Sequence, residues 1–118
     1  ETLDLACELN TEWANFYCAM AYPGSPLHKM AREMDWALPE DTVGFGGYSQ
    51  HNYDTLPLPS EHVTAANILR FRDMAFMRYF DRPEYLSMLQ AKFGDGAVAD
   101  VKAMLAFGMP KRRLLNAV

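Results

Sequence analysis

The chain has 118 residues, enough for one small domain, and its 50% hydrophobic share with 13% aromatic residues supports a core and argues against disorder. A formal net charge of -4 leaves no electrostatic footprint for nucleic acid. No apolar run approaches the roughly 20 residues needed to cross a bilayer, and no signal-peptide pattern opens the chain, so a soluble, cytoplasmic setting is expected.

The sequence opens on Glu1 rather than methionine, and Thr2 to Leu9 already has helical spacing, with Leu5 and Leu9 four apart and Leu3 and Cys7 beside them. A short turn at Asn10-Thr11-Glu12 leads into Trp13 to Ala21, a nearly continuous apolar and aromatic run. Such a run predicts a buried strand covered on both faces, as in a parallel α/β sheet. No second run of comparable quality follows. The segment therefore reads as the last strand of a sheet whose other strands lie elsewhere, and the chain as a piece of something larger. Behind it, Ser25 is a good helix cap, Pro26 fits a first turn, and Leu27, Met30, Ala31 and Met34 recur at helical spacing to near Asp35. Residues 1–35 thus predict a helix-strand-helix unit of a wound α/β domain.

Residues 36–59 hold Gly44, Gly46, Gly47, Pro39, Pro57 and Pro59 and follow neither period, which predicts a long loop over a surface or a site. Residues 60–118 predict a helical C-terminal extension. Ser60 is expected to cap its longest helix, whose apolar face runs from Val63 to Phe80. Asp81 is expected to cap the next, with Pro83 and Glu84 in its first turn. Gly94-Asp95-Gly96 breaks that helix, a last one follows from about Ala97 to Phe107, and Gly108-Met109-Pro110 ends it. Lys111-Arg112-Arg113 reads as a solvated helix terminus. The fold class is mainly α, with a truncated α/β unit in front.

Few residues carry obvious chemistry. Cys7 and Cys18, the only cysteines, match no metal-ligand spacing and read as buried free thiols. His28, His51 and His62 lack ligand spacing with one another and with Asp54, Glu61 or Asp73, so no metal ligands and no catalytic residues are assigned. Tyr48-Ser49-Gln50-His51-Asn52-Tyr53 concentrates donors, acceptors and two aromatics on the long loop. That loop reads either as a substrate mouth or as a polar loop pinned by its own tyrosines. The stripe Phe71, Met74, Phe76, Met77, Tyr79, Phe80 and Met88 reads as core, with part of it wide enough for an interface and self-association.

Four stretches taken together resemble a known family: Asn15 to Leu27 (NFYCAMAYPGSPL), Gly47 to His51 (GYSQH), Leu56 to Ser60 (LPLPS) and Leu69 to Phe76 (LRFRDMAF). They are similar to the C-terminal part of radical S-adenosylmethionine (SAM) enzymes of the type that carries a cobalamin-binding domain. The resemblance covers nearly the whole chain. It implies that residues 1–35 are the last helix-strand-helix unit of a partial SAM barrel and that the catalytic equipment lies upstream. The family's 4Fe–4S cluster is held by a Cys-x-x-x-Cys-x-x-Cys motif, which this chain lacks. The cluster, SAM and cobalamin are thus implied for the parent enzyme, and none is expected in this chain, whose implied partners are the parent's upstream domains. The resemblance also implies that Ala19, Met20, Tyr22, Gly24 and Ser25 help enclose the cofactor, and that Tyr48, Gln50, His51 and Tyr53 form a substrate loop. The competing reading is a free-standing helical interaction or small-ligand module sharing ancestry with that region.

Overall fold

The computed structural model describes residues 1–40 and 44–116. In chain order they form α1 (Thr2–Leu9), α2 (Pro26–Glu33), a 3-10 helix at Gly44–Tyr48, α3 (Ala65–Phe80), α4 (Pro83–Phe93), α5 (Asp95–Phe107) and α6 (Arg113–Asn116). The chain is mainly helical, as its periodicity predicts. It divides into two compact units: Glu1–Phe16 with Asp73–Met109, and Tyr17–Arg72 with Pro110–Val118.

The first unit is built around rings. Phe80 is fully buried, with the rings of Trp13, Phe76, Tyr79 and Tyr85 centred 4.7, 4.8, 5.0 and 5.1 Å from its own. Tilted and edge-to-face pairs of this kind add to the stabilisation from burial alone. Leu3, Ala75, Leu89 and Val101 complete the core, with Val98, Met104 and Leu105 of α5 packed against it. The hydroxyl of Tyr79 donates to Thr11 O at 2.6 Å and that of Tyr85 to Glu12 O at 2.9 Å. These bonds hold the turn behind α1 and satisfy phenols that would be costly to bury unpaired. Arg82 closes the end of α1, donating to Cys7 O at 3.0 Å and to Asn10 Oδ1 at 2.8 Å. Lys92 pairs with Glu12 and holds its carboxyl below the usual range, chiefly through that hydrogen bond.

Two expected caps sit elsewhere. Ser60 Oγ accepts from Val63 N–H at 3.1 Å and holds a separate turn, whereas Thr64 Oγ1 accepts from Asn67 N–H at 3.2 Å and starts α3. Either hydroxyl has the right chemistry, and the turn following Pro59 takes the first. At α4 the capping position falls on Arg82, whose side chain makes no capping bond, and Asp81 instead ends α3 with its N–H on Met77 O at 3.2 Å. Thr64→Ala is therefore expected to cost about 1 kcal/mol, with a smaller loss for Ser60→Ala, as read from chemical-denaturation midpoints.

In the second unit, Ser25 Oγ accepts from His28 N–H at 3.1 Å and Pro26 opens α2, as the sequence predicts. The helix ends in a paired lock: Asp35 N–H reaches Arg32 O at 3.2 Å and Trp36 N–H reaches Ala31 O at 2.9 Å. Trp36 packs on fully buried Ala31. The lock puts Asp35 at φ 54°, a left-handed conformation that glycine adopts without penalty. Asp35→Gly is expected to raise stability by about 0.5–1 kcal/mol, checked by thermal unfolding. Of the predicted inward face of α2, only Ala31 is buried; Leu27, Met30 and Met34 stay 41%, 38% and 48% exposed.

The described residues contain no β-strand, and Trp13 to Ala21 makes no ladder. A strand exists only through a paired neighbour. Here the neighbours are few: Leu58 N–H donates to Ala19 O at 2.9 Å, and a side chain deals with Cys18. The run is not buried on both faces: Ala14 and Phe16 pack against the core of the first unit and Cys18, Met20 and Ala21 are buried in the second, while Trp13, Tyr17 and Ala19 are exposed, Trp13 with its ring against Phe80.

Candidate functional site

The site lies in the second unit, where residues 17–25 meet residues 45–55. Gln50 makes the central contact. Its side-chain Oε1 accepts from Cys18 N–H at 2.9 Å and its Nε2 donates to Cys18 O at 3.0 Å. A primary amide has one acceptor and a donor side by side, so Gln50 serves the extended backbone as a neighbouring strand's peptide group does. Next to it, Met20 is buried with Cys18 and Leu69, and Tyr48 packs against that cluster.

The Tyr48 ring also lies 5.4 Å from Tyr22 and 5.8 Å from Phe45. Tyr22 and Phe45 are about half exposed. The Tyr48 hydroxyl is buried without a hydrogen-bond partner among the described residues, and burial pushes its phenol up. Exposed faces beside a hidden hydroxyl suit stacking against a planar or cationic ligand group. The structure thus brings Met20 and Tyr22 to Tyr48 and ties Gln50 to Cys18, whereas the exposed Ala19 bonds through its carbonyl to Leu58 N–H.

The remaining predicted residues have other work. Gly24, at φ 84°, makes the turn into α2, with Ser25 N–H on Tyr22 O at 3.0 Å. His51 faces Arg72, whose Nη2 lies 3.1 Å from the ring nitrogens. Tyr53 takes the Arg113 guanidinium over its ring at 5.8 Å and accepts the Arg113 N–H on its carbonyl at 2.8 Å. A surface hollow of about 510 Å³ lies between α2 and residues 35–40, lined by His28, Arg32, Asp35 and Trp36 among others and by none of the predicted site residues.

Sequence reasoning missed two participants. Phe45 lay in a loop with no period to place it. Lys111 and Arg113 are exposed at the start of α6, as expected of a solvated helix terminus, but Arg112 between them is 1% exposed. The available signal was the apolar pair Leu114-Leu115 two residues on, which packs against a buried cluster and brings this stretch of chain to the core.

Cys7 is half-buried in the first unit and Cys18 buried in the second, and these two thiols do not fit a 4Fe–4S cluster held by three. Among the described residues no three His, Cys, Asp or Glu side chains gather as a metal site, and no helix is long and apolar enough to cross a membrane. No protein family, no curated protein and no solved structure matches this chain.

Proposed function

We propose that this chain is the C-terminal part of a radical SAM enzyme of the cobalamin-associated kind, enclosing cofactor and substrate in the intact protein without being catalytic alone. The observation that carries this reading is the Gln50–Cys18 pairing, with the Tyr22–Tyr48 ring contact beside it. The turn that the resemblance assigns to the cofactor and the loop that it assigns to the substrate lie side by side. In the parent enzyme residues 13–21 are the last barrel strand, and the upstream domains, which hold the cluster, SAM and cobalamin, supply its neighbour.

The exposed Leu27, Met30 and Met34 on α2 fit that arrangement, since a helix following a barrel strand packs its apolar face on the rest of the barrel. The test is the gene. A Cys-x-x-x-Cys-x-x-Cys motif is expected in the same reading frame roughly 150 to 200 residues before Glu1. A start codon close to Glu1 overturns the reading in favour of a free-standing interaction or small-ligand module.

A further inference from the structure

Among the described residues Arg112 is the largest fully buried side chain, and it is held by the loop of the candidate site. Its Nη1 donates to Asn52 O at 2.8 Å and to Thr55 Oγ1 at 3.2 Å. Thr55, itself 1% exposed, bonds through the same hydroxyl to Ser49 O at 2.7 Å and to Asn52 O at 2.6 Å. One residue on, Arg113 N–H donates to Tyr53 O at 2.8 Å and the Arg113 side chain pairs with Asp54. Leu114 and Leu115 then pack against the cluster of Cys18, Met20 and Leu69. Residues 112–115 therefore grip the loop by its backbone from one side, while Gln50 ties the same loop to Cys18.

From this geometry we propose that Arg112 is the positioning residue of the site, and that residues 110–116 form a strap keeping Tyr48 and Gln50 in register with Cys18 and Tyr22. The role of the loop in a ligand site rests on the function proposed above; the strap itself does not. The physical reason lies in the cost of burying a guanidinium, which is tolerable only while its N–H groups have acceptors. Two of those acceptors, Asn52 O and the Thr55 hydroxyl, belong to the loop. If the loop moves away the buried cation loses both of these acceptors, and if the strap leaves the loop loses the bonds it makes to residues 112 and 113. Strap and loop accordingly hold or release as one unit. A leucine or methionine at position 112 would fill the space without that coupling, and a lysine would offer a compact ammonium in place of a planar fork.

Amide hydrogen exchange on the whole chain tests the proposal. In Arg112→Met the amides of Thr55, Leu56 and Arg113, which bond to Asn52 O, Gly47 O and Tyr53 O, are expected to exchange about tenfold faster or more. The Gln50 side-chain amide should lose protection with them. The amides of Leu58 and Trp36, bonded to Ala19 O and Ala31 O in the same unit, should keep their wild-type rates. Arg112→Lys should give the same selective pattern at smaller size, and it decides the matter by the same criterion if the methionine variant does not fold. Equal acceleration throughout the unit makes Arg112 an ordinary core residue and overturns the proposal, as does no change at Thr55, Leu56 and Arg113. A gene without the upstream cluster motif removes the enzymatic reading and leaves these exchange rates as they are.

Discussion

Replacing Phe80 by alanine is expected to cost the first unit about 3–5 kcal/mol, the largest loss from any single truncation of this core. The ring is fully buried, so its removal leaves a cavity as well as losing transfer free energy. Four aromatic neighbours also lose a partner at once, and none of them can refill the space without breaking a contact of its own. Phe93→Ala and Phe107→Ala are the controls. Those rings are 60% and 89% exposed, and their loss should stay within about 0.5 kcal/mol. Urea unfolding followed by Trp13 fluorescence, in a Trp36→Phe background, reads the difference, because the Trp13 ring packs at a tilt against Phe80 itself. Equal midpoints for Phe80→Ala and Phe107→Ala are incompatible with this core.

Anaerobic reconstitution with iron and sulfide is expected to leave the purified chain without a stoichiometric 4Fe–4S cluster, and reduction in the presence of SAM should release no deoxyadenosine. Two thiolates, one in each unit, cannot supply the three that a site-differentiated cluster requires. Iron analysis, the ultraviolet-visible spectrum and chromatography of the nucleoside products measure this directly. A full cluster per chain, or deoxyadenosine on reduction, is incompatible with catalysis residing upstream. Weak SAM binding near Tyr22 and Tyr48 is compatible with it.

Local signals in the sequence were legible where local physics decides. Ser25-Pro26 starts α2, and Gly94 and Gly108, at φ 85° and 75°, mark the ends of α4 and α5. What the sequence hides is set by partners far along the chain. An apolar run such as Trp13 to Ala21 has the composition of a strand, but composition says nothing about whether a neighbour is present to pair with it. Ser60 and Thr64 are equally good caps by type, and only the path of the chain after Pro59 separates them. Arg112 looks exposed because charged residues usually are, and its acceptors at Asn52 and Thr55 lie 60 and 57 positions away. For the same reason Tyr48 stands out by the composition of its loop and Tyr22 only through the resemblance, while their meeting could not be foreseen.

Both units are closed by contacts between distant parts of the chain. Arg82 reaches back 75 residues to Cys7 and Tyr79 reaches back 68 to Thr11, while Arg112 reaches back 60 to Asn52. Helical proteins ordinarily fold fast because their contacts are local, and the entropy of closing long loops is what slows the others. This chain has helices for its elements and long closures for its topology. It should therefore fold more slowly than its helix content suggests. During synthesis neither unit can close until the ribosome has delivered the far partner, which leaves the apolar Trp13 to Ala21 segment waiting without its cover and open to capture by chaperones.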